Sequence, residues 1–144
     1  IIRGLLKRRT EPAYIVDQIK NRRYRLLMTE EMAKELSIAI YMMCAKNQIN
    51  PKKFLRAISV FTLHATEVQT TTRFKSCSDP EDSMFIECAI DGQAKYCISS
   101  DHSIFNIKNY CKDNDELKLI QHIDFYNPQD FYQEVVQKIP NNSK

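Results

Sequence analysis

Glycine is almost missing from this chain, with 2 in 144 residues. Glycine-rich phosphate loops of the P-loop or dinucleotide type need several at fixed spacing, so those nucleotide-binding classes are excluded. Closely paired cysteines are missing too. The five present (Cys44, Cys77, Cys88, Cys97, Cys111) are odd in number and form no C-x-x-C pair. A disulfide framework or zinc cluster needs closer pairing, so they are read as reduced thiols packed in apolar segments. No long apolar run occurs. The longest, "LSIAIYMMCA" from Leu36 to Ala45, falls well short of the roughly 20 residues that span a bilayer. The opening "IIRGLLKRRT" carries its charges after its apolar residues, which is not the order of a secretory signal. These absences predict a soluble, cytoplasmic protein without a membrane partner.

What remains is ordinary in bulk. Hydrophobic residues make up 43% and charged residues 27%, enough for one domain with its own core. The charge is unevenly placed. Residues 1–25 hold eight basic side chains (Arg3, Lys7, Arg8, Arg9, Lys20, Arg22, Arg23, Arg25) against Glu11 and Asp17, a net of +6. With +3 overall, the remaining residues carry −3. A basic end beside an acidic remainder suits a protein that handles a phosphate backbone, and it also suits an ordinary solvated surface.

The pattern along the chain alternates helices and strands. "EPAYIVDQIKN" has Pro12 early and apolar residues at helical spacing; "YRLLMT" reads as a buried strand. Thr29 is placed to cap a helix running to about Lys46, with Glu30 and Glu31 in its first turn. Asn50 and Pro51 start a third helix, and β-branched "TEVQTTTRF" predicts a strand. "SDPEDSMFIECA" opens a fourth helix ending near Gly92; "KYCISS" is a strand, "LKLIQ" another, and "NPQDFYQEVVQKI" a last helix. Strands alternating with helices predict parallel pairing in a three-layer α/β/α sandwich around a central, mostly parallel sheet. Residues 1–139 form one domain in this reading, and 140–144 a loose tail.

In "SDPEDS", three carboxylates (Asp79, Glu81, Asp82) fall within four residues. Asp79 is an N-cap, Pro80 suits the first helical position, and the other two favour the positive end of the helix dipole. Capping alone explains all three. Topology adds a second explanation. In an α/β sheet, helix starts lie at the carboxyl ends of strands, the edge where ligands bind. Asp82 sits in such a start, Asp101 follows "KYCISS", and Glu35 lies one to two turns into the helix after "YRLLMT". Carboxylates gathered without compensation imply a cation, and hard oxygen ligands without histidines favour Mg²⁺ or Mn²⁺ over zinc. His64 and His102 have no spaced partners and read as structural or surface residues. Glu35 alone also reads as a solvated helix residue, and Asp101 as the cap of a turn in "SDHS".

The order of these motifs resembles the PIN-domain family, in particular the branch of toxin components of toxin–antitoxin systems. "SDPEDSMFIECAIDGQAKYCISSDHSIFNI" is similar to that branch's Asp-Pro-rich cluster, helix and strand ending in Thr/Ser-x-Asp. "YRLLMTEEMAKEL" resembles its strand and Glu-Leu helix, "IIRGLLKRRTEPAYIVDQI" its first helix, and "HIDFYNPQDFYQEV" its closing strand and helix. The resemblance covers nearly the whole chain, with four motifs in the family's order.

It implies a metal-dependent endoribonuclease. Glu35 matches the helix glutamate, Asp82 the third-motif aspartate and Asp101 the acid after the next strand. Asp79 stands as an accessory metal ligand or the cap, and Ser99 or Ser100 in the hydroxyl position. One or two Mg²⁺ or Mn²⁺ ions are the implied cofactor. Single-stranded or structured RNA is the substrate, with Arg3, Lys7, Arg8 and Arg9 placed by charge alone to hold its backbone. An antitoxin protein and a second copy in a homodimer are the implied partners. The family's first strand, ending in Asp-x-Asn, precedes the residues that resemble Ile1 to Leu6. The expectation is therefore a natural chain with a central strand and a further aspartate ahead of Ile1. The competing expectation is a catalytically impaired PIN-like module that binds RNA or a partner protein.

Overall fold

The computed structural model describes residues 9–138. Arg3, Lys7 and Arg8, the segment Ile1 to Leu6 and the expected tail 140–144 lie outside the described residues.

Helix α1 (Glu11–Lys20) has proline in its first turn and buries Ile15 and Val16. Strand β1 (Leu27–Met28) runs into Thr29, whose hydroxyl accepts from the Met32 amide at 3.1 Å and starts α2 (Glu30–Lys46). Helix α3 (Lys52–His64) follows, with the Asn50 carboxamide taking the Lys52 amide at 2.9 Å. Helices α2 and α3 form a hairpin around Ile40, Cys44 and Ile58, at most 3% exposed. Burial of each such isoleucine is worth about 1.5–3 kcal/mol. Strand β2 (Thr66–Glu67) then pairs in parallel with β1, Leu27 opposite Thr66.

A 3₁₀ turn (Pro80–Asp82) leads into α4 (Ser83–Asp91), and β3 (Tyr96–Ile98) comes next. Two short helices, α5 (His102–Phe105) and α6 (Ile107–Tyr110), precede α7 (Asn114–Ile120). Strand β4 (Asp124–Tyr126) lies parallel to β3, with Cys97 opposite Phe125. Helix α8 (Pro128–Phe131) passes into a π turn (Tyr132–Val136). The main core joins Ile86 and Ala89 of α4 to Ile104, Ile107, Ile120 and Ile123. Tyr24, Tyr96, Tyr126 and Phe131 pack their rings together beside it, Tyr96 and Phe131 with centroids 5.2 Å apart.

The architecture is mixed α/β with parallel pairing, but the described residues form two separate two-stranded sheets rather than one central sheet. Two predicted strands differ. "LKLIQ" is helical, the end of α7. Asp113 caps that helix through the amides of Asp115 (2.8 Å) and Glu116 (3.1 Å), and this local start signal overrides the β-like apolar run. In "TEVQTTTRF", only Thr66 and Glu67 are strand. Beyond Val68, five backbone amides go to carboxylates instead. Asp91 accepts from Thr71 (2.6 Å) and Thr72 (2.9 Å), Glu87 from Phe74 (2.9 Å), and Glu116 from Lys75 (2.7 Å) and Ser76 (3.0 Å). The hydroxyls of Thr72 and Ser76 donate to Asp91 and Glu116 as well. Glu87 and Asp91 are one helical turn apart, so one face of α4 holds much of this segment.

Scarce glycine shapes the helix ends. Helices α1, α2 and α4 all stop in the same double-bonded way, with Arg22, Gln48 and Gln93 in the left-handed region (φ 55°, 54° and 51°). That position usually takes glycine. Gly92 sits one residue earlier, and its role is space: a Cβ there would lie 2.7 Å from both the Cys88 carbonyl and Leu27 Cδ1, and 2.9 Å from Val68. Gly92→Ala is expected to cost about 1–3 kcal/mol through overpacking, read as a lower urea midpoint; an unchanged midpoint would show that Leu27 and Val68 can yield.

Burial pushes the Asp91 carboxyl up, but the hydroxyl and amide of Thr72, the amide of Thr71 and the charge of Arg73 outweigh it and leave it below its usual value. Such a group stabilises the fold above its unfolded value, about 4, and that contribution is lost as pH falls through the lower folded value. Asp91→Asn should therefore cost about 1–2 kcal/mol at pH 7. The gap between variant and parent should close below about pH 4. A gap independent of pH in denaturation curves would refute the carboxylate's role.

Candidate functional site

The acidic turn is reached from the anchored segment. Asp79 takes the Glu81 amide on its Oδ1 at 3.0 Å, capping the 3₁₀ turn, and Pro80 opens that turn. Asp82 makes no side-chain cap of its own at the start of α4. Its carboxyl is left free to face the other acids.

The charge of Asp82 reaches Glu35. Loss of hydration is the largest influence on Glu35 and raises its pKa; the charges of Glu81, Asp82 and Glu31 raise it further. Asp82 is raised for the same reasons, burial first, then Asp101, Asp79 and Glu81. Asp101 differs. The Ser103 hydroxyl (2.7 Å) and amide (2.8 Å) both donate to its Oδ1, and they hold its carboxyl below the usual range. Asp101 is thus the cap of α5 and also a neighbour of Asp82. Its own amide donates to the Ser99 hydroxyl at 3.0 Å, which gives Ser99 a defined place beside it.

Read from sequence, Glu81 belongs with the helix start; in the fold its charge acts on Glu35 more strongly than that of Asp82. Its position inside "PEDS" is the only signal that could have found it. Asp79 sits within reach of Asp82. Arg9 is exposed, with φ 59°, and is the one member of the proposed RNA-holding set among the described residues.

Other reactive side chains are committed elsewhere. All five cysteines are free thiols. Burial pushes Cys88 up to about 11 and Cys97 to about 12, far from the thiolate a nucleophile needs. His102 bonds the Tyr110 hydroxyl (2.9 Å) and packs on Phe105; His64 accepts from Arg22 (3.1 Å).

Among the described residues, no cation pairs with Glu35, Asp82 or Asp101. Mutually repelling carboxylates of this kind are the donor chemistry of a hard divalent ion. As the side chains stand, no three His, Cys, Asp or Glu among the described residues are close enough together to hold one.

Fold and edge define a class: a small mixed α/β module with an acidic patch where helices begin beyond its parallel strands. The chain belongs to the PIN-domain family, whose model, described as PIN domain, matches residues 1–103. No curated protein and no solved structure matches it. No helix among the described residues is long and apolar enough to cross a membrane.

Repulsion among these acids should make the patch a small liability to the fold. Asp82→Asn, measured at pH 7 without divalent ions, is expected to raise unfolding free energy by up to about 0.5 kcal/mol, the scale of exposed like-charge contacts. A clear loss of stability would mean that the Asp82 carboxylate is a structural partner rather than a repelled neighbour.

Proposed function

We propose that this protein is a metal-dependent endoribonuclease. The observation that carries the reading is the raised pair Glu35 and Asp82 beside Asp101, in a chain of the PIN-domain family. Glu35, Asp82 and Asp101, with Asp79 as an accessory, would hold Mg²⁺ or Mn²⁺. Such an ion supplies an activated water and stabilises charge on a phosphodiester. The chain's own part is to concentrate negative charge in one patch, with α4 and its 3₁₀ turn presenting Asp82 and with Ser103 and Ser99 orienting Asp101. Ser103 keeps the Asp101 carboxylate ionised, ready to act as an oxygen donor.

RNA as substrate, held by Arg9 and the basic residues before it, follows from charge and from the family resemblance. So do the toxin role, an antitoxin partner, a homodimer, a cytoplasmic site of action and the completed α/β/α sandwich. A second reading, an impaired module that binds RNA or a partner without cutting, is favoured by one observation. The described carboxylates do not close into a ligand set.

Cleavage of single-stranded RNA should appear with Mn²⁺ or Mg²⁺ and vanish with chelator. Asp82→Asn should lower its rate at least about 100-fold, the scale for losing one charge-stabilising group. Cleavage that persists in that variant would sink the assignment. Absent cleavage with intact RNA binding would select the second reading.

A further inference from the structure

A concavity of about 410 Å³ opens beside the β1–β2 pair. Arg22, Tyr24 and Arg25 reach it from the segment before β1, and Phe61, Leu63 and His64 from the end of α3, just before β2. Because β1 and β2 are parallel, both approaches lie at the amino ends of the strands. Glu35 lies beyond the carboxyl end of β1. No carboxylate lines this concavity among the described residues.

Its charge is positive after the opposing dipoles are counted. Helices α1 and α3 both end here, and two helix C-termini bring about −0.5 charge each. The two guanidiniums bring a full charge each, so they outweigh the carbonyl ends. Those carbonyls are also occupied: the Arg22 and Arg23 amides take Ile19 and Gln18, and the Ala65 amide takes Phe61 and Thr62. Arg25 has no hydrogen-bond or ion-pair partner among the described residues and is exposed.

Arg22 is held in place rather than free. It occupies a left-handed position (φ 55°) where a side chain costs about 1–2 kcal/mol that glycine would not. Its Nη2 donates to His64 Nε2 at 3.1 Å across 42 residues. The imidazole nitrogen that accepts this bond has no proton, which leaves Nδ1 to carry one. Beside these donors stand apolar walls. Leu63 is 80% exposed, the most exposed large hydrophobic side chain among the described residues, while Tyr24 is half-buried and Phe61 buried at the floor.

Guanidinium forks match a phosphate bidentately, and here two of them line one concavity beside an exposed leucine and a half-buried tyrosine that suit a flat apolar group. We infer that this concavity binds a nucleotide unit, its phosphate on Arg22 and Arg25 and its base against Leu63 and Tyr24. The inference does not depend on the acidic patch hydrolysing anything.

Binding is measured in chelator, so that no cleavage intervenes, with AMP by calorimetry and a labelled single-stranded RNA hexamer by anisotropy. The parent protein should bind, and Arg25→Ala should weaken binding about tenfold, the value of one charge-assisted contact. Arg22→Gly should weaken it similarly while keeping or raising the unfolding midpoint, because glycine suits that backbone. Lys118→Ala, on α7 and paired with Asp115, should leave affinity unchanged. Tighter binding of the hexamer than of AMP assigns the site to an RNA strand, and binding of AMP alone assigns it to free nucleotide. Binding of neither probe overturns the inference. So does equal weakening by Lys118→Ala and Arg25→Ala, or adsorption to anionic lipid vesicles that depends on Arg25 in place of nucleotide binding.

Discussion

Carboxylates on helices hold a long segment that no strand claims, and the acidic patch depends on that hold. Residues 71–76 have no sheet partner for their amides among the described residues, and the buried one, that of Phe74, would cost on the order of 1–3 kcal/mol without an acceptor. Asp91 and Glu87 of α4 and Glu116 of α7 take them instead. Glu87 is only 8% exposed and tolerates this burial because the Phe74 amide and Arg73 both reach it. The same segment leads directly into "SDPEDS". Fixing it against α4 fixes where Asp79 and Asp82 stand.

The two kinds of carboxylate in this chain therefore do opposite work. Asp91 and Asp101 collect hydrogen-bond donors and sit below their usual range, so their ionised forms add to stability. Glu35 and Asp82 lose hydration and, after that, face other negative charges; they sit above it, so their ionised forms subtract from stability. Ser103 makes Asp101 a bridge between the two groups: satisfied on one oxygen, yet near enough to Asp82 to repel it. A fold keeps a repelling patch at some cost in stability, which is the usual signature of a site that serves binding or catalysis.

Much of the architecture was legible because helix starts are written locally. Thr29, Asn50, Asp79 and Asn127 each cap from within three residues, and their helices begin where the caps predict. Parallel pairing also followed from the alternation of elements. The two errors have one source. "LKLIQ" and "TEVQTTTRF" look like strands by composition, but a strand exists only if a neighbour supplies its ladder. Asp113 capped the first into a helix, and distant carboxylates satisfied the second. Glu81 does stand at the helix start, as its sequence position implies, but its reach to Glu35 was not legible. Its role at the helix start is local, whereas its effect on Glu35 crosses 46 positions of sequence.

By itself the sequence determined where helices begin and that the cysteines have no close pairing. It also determined that acids would stand at helix starts and after strands. Those are consequences of hydrogen bonds and spacings within a few residues. Tertiary structure alone decided which acids repel one another and which carboxylates serve backbone amides. It also decided that Arg22 and His64 meet, and that Gly92 is needed for space rather than for a turn. Each of these rests on groups brought together by packing from far apart in the chain, and no local pattern encodes that distance.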